Sequence, residues 1–288
     1  MSNKLFIIGA SSYIGNKIIS SAKSEWDVIG TSTRGSDITL KFDLTQPEDF
    51  DYSRVKPNDT LILCAGISSP DLCSLDKEFA YRVNVIGTRA LITKIIGKGA
   101  KVIFFSTDAV YGENSEIFTE ASICNPFSEY ATMKHAIELD FLNNCNFKSI
   151  RLSYVFSAED KFTKYLRTCS KNNVEAEVFH PFYRNIIHVD DVVTAVVQLS
   201  RDWDRYPQSI FNFGGPDLVS RIEIATTLQK IALPQLLYKV VQPGKDFFQR
   251  RPSCISIKSS LLVDLLQKLP NSLVDSVRIE LNKNLYKS

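Results

Sequence analysis

KVIFFSTDAVYG, Lys101 to Gly112, is the stretch that decides the fold. Its short apolar run follows a Gly-rich turn and stops abruptly at Ser106, Thr107 and Asp108. A run this short, rich in Val, Ile and Phe, reads as a strand buried on both faces. Hydroxyls at the carboxyl end of such a strand sit where open α/β sheets bind ligands. Downstream, Tyr130 and Lys134 lie four residues apart in FSEYATMKHAIELDFL (127–142), whose apolar spacing is helical, so both side chains share one helix face. A strand-tip hydroxyl, a phenol and an ammonium can thus converge on one carbonyl.

Outward from that stretch, apolar runs alternate with helical patterns. Leu5–Gly9, Asp27–Thr33, Ile38–Asp43 and Thr60–Gly66 read as strands, with helices over Asn16–Lys23 and Leu75–Ile96. After the Tyr130 helix come a sixth strand, Ser149–Phe156, a polar helix from about Asp160, and RNIIHVDDVVTAVVQLS (184–200), a strand running into a helix that Asp190 is expected to cap. IFNFG (210–214) is a further strand, and Ser220 and Glu223 have capping-box spacing before a helix. Unbroken apolar strands alternating with helices predict an α/β protein with a doubly wound parallel sheet of Rossmann type, covered on both faces. The last eighty or so residues, turn-rich and ending in two amphipathic helices, predict a smaller C-terminal substrate domain interleaved with the sheet. The division expected is 1–158 and 184–214 for the dinucleotide-binding domain, and 159–183 and 215–288 for the substrate-binding domain.

The bulk composition narrows the function. At 288 residues and 44% hydrophobic, the chain can bury a substantial core. Its 34 basic and 32 acidic residues leave a formal charge of only +2, which argues against nucleic acid or anionic lipid as a partner. Cys64, Cys73, Cys124, Cys145, Cys169 and Cys254 show no C-x-x-C pair and no metal-ligand spacing, as expected of reduced, packed thiols in the cytoplasm. No run reaches membrane-spanning length, and no metal site is expected, since His135, His180 and His188 lack ligand spacing. His188 reads as a hydrogen-bonded structural residue.

Gly9-Ala10-Ser11-Ser12-Tyr13-Ile14-Gly15 lies between a strand and a helix, where glycine permits the tight turn and the helix N-terminus offers N–H groups to a pyrophosphate. Ser12 stands where dinucleotide-binding turns usually carry a second glycine; its hydroxyl offers a donor to a phosphate instead. At the end of the second strand, Ser32, Thr33 and Arg34 replace the carboxylate that would bind a ribose and exclude a 2′-phosphate, which favours NADP(H) over NAD(H). Y-x-x-x-K occurs three times, at Tyr13/Lys17, Tyr52/Lys56 and Tyr130/Lys134, and only the third stands on a strong helix after a hydroxyl-tipped strand. There the cation one turn away is expected to lower the phenol's pKa toward a useful acid/base value.

GASSYIG, the FDL after strand three, LCAGISSPDLC, RVNVIGT, FFSTDAVYG, P-x-x-x-Y-x-x-x-K ending at Lys134, SIRLSYVF, RNIIHVDD, FNFGG and RPSCISI occur in the order and spacing of extended short-chain dehydrogenases/reductases. Across essentially the whole chain, the sequence most resembles the dTDP-4-dehydrorhamnose reductase branch of nucleotide-sugar enzymes. The resemblance implies a nicotinamide cofactor and a triad in which Thr107 hydrogen-bonds the substrate oxygen, Tyr130 transfers the proton, and Lys134 binds the nicotinamide ribose. It further implies cofactor contacts from Asp43, Leu44, Cys64, Ala65, Gly66 and Ser106, substrate contacts from Asp108, Ala109, Tyr154, Arg184 and Arg251, and a structural role for Asn84. It also offers a homodimer, through a bundle of the helices around Leu75–Ile96 and Phe127–Asn143.

The departures are informative. Related sugar dehydratases carry Asp-Glu after the threonine, and Asp108-Ala109 here lacks the Glu that would take a proton from carbon, which counts against dehydration. Ser157 replaces a common glycine after the sixth strand. The reaction expected is reduction of a keto group, at C4, of a nucleotide-linked deoxysugar, or the reverse. The alternatives are C4 epimerisation with the same triad, a non-catalytic dinucleotide-binding regulatory subunit, and a redox-sensing repressor-like module, of which the last predicts a degraded triad.

Overall fold

Successive residues of the first strand go to opposite sides of a sheet: Leu5 and Ile7 enter one apolar cluster, Phe6 and Ile8 another. The same division recurs at Ile62 against Leu61 and Leu63, and at Ile103 and Phe105 against Val102 and Phe104. A side-chain period of two, with apolar residues at both phases, is what a sheet covered on both faces requires. The computed structural model describes residues 3–36, 38–113 and 116–283.

The seven strands are β1 (Lys4–Ile8), β2 (Asp27–Ser32), β3 (Thr39–Lys41), β4 (Thr60–Leu63), β5 (Lys101–Thr107), β6 (Phe147–Leu152) and β7 (Ile210–Phe213). They are all parallel and lie in the order β3-β2-β1-β4-β5-β6-β7. The chain winds outward in both directions from the β1/β4 junction, and the carboxyl ends at that reversal form the crevice where such sheets take ligands. One face is covered by helices Tyr13–Ala22, Val189–Arg201 and Leu262–Leu266, the other by helices that include Thr88–Gly97 and Glu129–Phe141.

A second group of strands carries its own apolar clusters. Leu218–Ser220, Tyr183–His188, Cys254–Ile257 and Ile117–Phe118 pair in that order, with Tyr154–Phe156 alongside Tyr183–His188. The expected strand Ser149–Phe156 is therefore two strands. The chain breaks at Ser153, whose N–H still reaches the Phe213 carbonyl at 3.0 Å, and then leaves the main sheet for the second one.

The expected capping box forms, while a second expected cap is replaced by its neighbour. The Ser220/Glu223 capping box is present, and Ser128 caps the Tyr130 helix by accepting from the Ala131 N–H at 3.3 Å. At Val189–Arg201 the cap is His188 and not Asp190: His188 Nδ1 accepts from the Asp190 N–H at 3.2 Å. Because Nδ1 is the acceptor, a neutral His188 carries its proton on Nε2, which lies 3.1 Å from Glu280 Oε1; both side chains are fully buried. Asp190 pairs with Lys17 and Lys283.

The helix expected over Leu75–Ile96 begins as a separate Ser69-capped turn, Pro70–Leu75, and restarts under an Asp76 cap at Lys77. It continues to Gly97 with a π-helical turn over Arg82–Gly87. Gly87 lets this helix touch the loop after β3, since a Cβ there would fall 1.7 Å from the Leu44 carbonyl oxygen.

Beneath β5, Glu138 and Arg151 form a buried ion pair. Arg151 donates to Glu138 Oε2 at 2.8 Å through Nη2 and to Oε1 at 3.1 Å through Nε, while Ser149 Oγ adds a bond at 2.9 Å. Arg151 Nη1 reaches the Tyr111 hydroxyl at 2.9 Å, and Tyr111 donates onward to Asn212 Oδ1 at 2.7 Å. The network ties the Tyr130 helix to β6, β7 and the turn that follows Thr107. Its guanidinium and His135 hold Glu138 at about 2 despite burial.

Candidate active site

The glycine turn closes over the end of β4. Gly9 has φ +88°, and a Cβ on it would come within 2.8 Å of the Ala65 nitrogen, so both the turn and the close approach exclude a side chain. Ser12 has φ −69° and has no need of glycine; its Oγ accepts from the Gly15 N–H at 3.1 Å and caps the first helix. The hydroxyl proton stays available to a phosphate oxygen.

Below this turn is a cleft of about 360 Å³. Its walls include Gly9, Ser11 and Ser12 from the turn, Thr33 from the end of β2, Asp43 and Leu44 after β3, and Cys64, Ala65 and Gly66 after β4. A groove of about 450 Å³ continues from it past Ser32, Thr33, Arg34, Ser36 and Thr39. Of the other residues expected at a cofactor, Tyr13 and Ile14 pack into the core and line neither space, and Ser106 is buried beneath the tip of β5. The cradle at Gly9, the N-terminus of the first helix and a cleft at the sheet reversal fit a dinucleotide.

Asn84 fixes the wall between this cleft and the catalytic candidates. Its Oδ1 accepts from the Ile67 N–H at 2.8 Å and its Nδ2 donates to the Ile67 carbonyl at 3.0 Å. Gly66, at φ +142°, passes so close that a Cβ would meet Asn84 Oδ1 at 3.0 Å and Lys134 Nζ at 3.8 Å. Lys134 is buried, donates to the Phe105 carbonyl at 2.8 Å, and lies 6.0 Å from the Tyr130 ring centre.

Tyr130 lines a second cleft, of about 180 Å³. Thr107, Asp108, Ala109, Tyr130, Tyr154, Arg184 and Arg251 all line it. Thr107 Oγ1 accepts from the Ala109 N–H at 3.2 Å, which orients the hydroxyl at the strand tip. Asp108 accepts from Ser153 Oγ at 2.8 Å and faces Arg184 Nε at 3.7 Å. Arg184 donates from its two Nη atoms to the Tyr183 and Pro252 carbonyls, each at 2.6 Å. Tyr154 presents its ring to the cleft while its hydroxyl donates to Asp160, the cap of helix Lys161–Lys171.

The electrostatics of the unliganded site differ from the expected lysine effect. Burial pushes the Tyr130 phenol above its ordinary value, and Cys73 and Asp108 add to the rise. Burial also lowers Lys134 to about 8. The phenol therefore holds its proton. Burial drives Asp108 up and Arg184 down, each opposed by the other's charge.

Several lining residues escaped the sequence reading. Ser128, Ser153 and Phe182 line the smaller cleft, as do Arg250 and Pro252. Ser128 carried a legible signal, a small hydroxyl opening a helix. Among the described residues, Cys124, His135 and Glu138 bring ligand atoms within 4.8 Å of one another, but the Arg151 guanidinium already occupies Glu138. Cys73 and Cys169 are buried as expected, whereas Cys145 is exposed. No helix among the described residues is long and apolar enough to cross a membrane.

The chain is similar to proteins of known name and structure. The methionine adenosyltransferase 2 subunit beta of Xenopus laevis is 26% identical over 241 residues, 79% of this chain and 71% of that one. The dTDP-4-dehydrorhamnose reductase of Aggregatibacter actinomycetemcomitans is 24% identical over 294 residues, 96% of this chain and 92% of that one. Two solved structures share the fold. MoeE5 in complex with UDP-glucuronic acid and NAD has a TM-score of 0.83 at 17% identity, covering 99% of this chain and 100% of the other. RMD from Pseudomonas aeruginosa complexed with NADPH has a TM-score of 0.78 at 20% identity, covering 100% of both. The family model described as NAD dependent epimerase/dehydratase matches residues 5–214, and with its Rossmann-type sheet the chain belongs to that family, as an extended short-chain dehydrogenase/reductase.

Proposed function

We propose that this protein reduces a keto group, at C4, of a nucleotide-linked deoxysugar, or runs the reverse oxidation, with NADP(H) preferred over NAD(H). The observation that carries the reading is a pair of clefts: one lined by the glycine turn and the strand ends, the other by Thr107, Tyr130, Arg184 and Arg251. When bound, the nicotinamide supplies the hydride. Thr107 hydrogen-bonds the substrate oxygen, and Tyr130 donates its phenolic proton to that oxygen as charge develops on it. A buried phenol that holds its proton suits this acid role. Lys134 binds the nicotinamide ribose, and its charge favours release of the phenolic proton once the site is filled. Arg184 and Arg251 meet the diphosphate, for which the guanidinium fork is suited.

The cofactor preference rests on the Arg34 groove, whose described walls carry hydroxyls and an arginine but no carboxylate. Residues 1–158 with 184–214 form the cofactor domain in this reading, and the remainder closes over the sugar. A homodimer through the helices at Lys77–Gly97 and Glu129–Phe141 is part of the proposal; Phe79, Ile86 and Leu139 are 41%, 52% and 61% exposed there.

Loss of NADPH absorbance with a panel of nucleotide 4-keto-6-deoxysugars tests the reading, with NADH alongside and Tyr130→Phe as control. Net oxidation by one sugar, abolished in Y130F with NADPH binding retained, is expected. A sugar that changes configuration without net cofactor turnover moves the assignment to a C4 epimerase. The similarity to chains named as a subunit of methionine adenosyltransferase favours one further reading, a dinucleotide-binding regulatory subunit. NADPH binding with no chemistry on any sugar would select it.

A further inference from the structure

Arg250, Arg251 and Pro252 line the smaller cleft, and the carboxylates of Asp71 and Glu113 bond the Arg250–Ser253 segment. Arg251 presents two nitrogens to the two oxygens of Asp71, Nη1 to Oδ1 at 3.0 Å and Nη2 to Oδ2. Arg250 Nη1 adds a bond to Asp71 Oδ1 at 3.2 Å. Two residues on, the Ser253 N–H donates to Glu113 Oε1 at 3.2 Å, and the Ser253 hydroxyl bonds the same oxygen. Pro252 in turn accepts from Arg184. Held this way, the cleft encloses about 180 Å³. Small-molecule pockets generally begin at roughly 300 Å³.

A carboxylate and a phosphate offer a guanidinium fork the same pair of oxygens at similar spacing. Asp71 fills the Arg251 fork as one phosphate of a diphosphate would. It is 52% exposed, so its charge is not needed to stabilise the core. We infer that Asp71 is a built-in competitor for the nucleoside diphosphate of the substrate, which must displace it from Arg250 and Arg251 and thereby releases the Arg250–Ser253 segment to admit the sugar. The inference rests on the proposed role of Arg251 at the diphosphate. It makes Asp71 an affinity-setting residue: the apparent affinity is reduced by the fraction of time the arginines are occupied internally. It also favours a diphosphate over a neutral sugar, because only an anion can take over the fork.

The test is calorimetric titration of UDP and dTDP into the NADPH-loaded full chain, as wild type, Asp71→Asn and Arg251→Ala. D71N is expected to bind its preferred nucleotide about fivefold more tightly. R251A is expected to lose binding. Hydrogen exchange across Phe248–Ser253 should rise in unliganded D71N and fall again on addition of the nucleotide. If R251A loses binding but D71N binds no tighter than wild type, the competitor role fails while the diphosphate reading stands. If R251A binds as well as wild type, the diphosphate reading fails and the competitor role with it.

Discussion

Lys134 Nζ donates to the carbonyl oxygen of Phe105 at 2.8 Å, so the helix that carries Tyr130 is fastened to the strand that carries Thr107. The bond crosses 29 residues of sequence and sets the spacing of the catalytic candidates before any ligand arrives. It also places an ammonium where water is scarce, and burial lowers its pKa from 10.5 to about 8.

That shift has a stability consequence. Between pH 8 and 10.5 the unfolded chain keeps a proton on Lys134 that the folded chain has released, so stability attributable to this residue rises with pH through that window. Below pH 8 the folded state carries the full cost of the buried charge. Lys134→Met is therefore expected to be more stable than the unliganded wild type at pH 7, by up to about 3 kcal/mol. The gap should close by pH 10.5, while NADPH binding and turnover are lost. Urea melts of both proteins at pH 7 and pH 10 measure it; a constant gap, or a less stable variant at pH 7, would refute the electrostatic account.

The catalytic candidates were legible because their geometry is local. A strand that ends in hydroxyls and a tyrosine one turn before a lysine need only the periods of a strand and a helix. The His188 cap was hidden because an imidazole is an uncommon cap acceptor beside an aspartate, the usual one. Ser153 reads as a strand residue until the second sheet draws the chain away. Asp71 and Arg251 are 180 residues apart, and no local pattern pairs them. The direction of the Tyr130 shift depends on how deeply the helix is buried, which is a property of packing and not of Y-x-x-x-K spacing.

The Glu138–Arg151 pair predicts an asymmetric response to mutation. Arg151→Met leaves a fully buried carboxylate without its partner and is expected to cost about 3–5 kcal/mol. Replacing both residues with Met should cost markedly less than the single change, because no charge is then stranded. Guanidinium denaturation of the single and double variants is the measurement. Acid titration gives a second check: with Glu138 held near 2, its stabilisation is present above pH 4.5 and lost as pH falls toward 2.

Arg34 carries the cofactor prediction. Arg34→Ala should weaken NADPH binding roughly tenfold and leave NADH binding unchanged, since only NADPH brings a 2′-phosphate to the guanidinium. Quenching of intrinsic fluorescence by each cofactor measures both affinities. Equal losses for NADPH and NADH would place Arg34 elsewhere than at the ribose.

Ser12 is the departure that a sequence pattern treats as a defect, and its backbone says otherwise. With φ at −69° the position has no need of glycine, and the hydroxyl bonds the Gly15 N–H at 3.1 Å as the cap of the first helix. Ser12→Ala removes that acceptor and is expected to cost about 1 kcal/mol, whereas Ser12→Gly should cost only a few tenths. If the hydroxyl also donates to a phosphate, both variants weaken NADPH binding alike, because both lack the donor. If it only caps the helix, S12G binds NADPH as wild type does and S12A follows its stability. Equal urea stability of S12A and wild type would remove the capping role, so the pair of variants separates the cap from the phosphate contact.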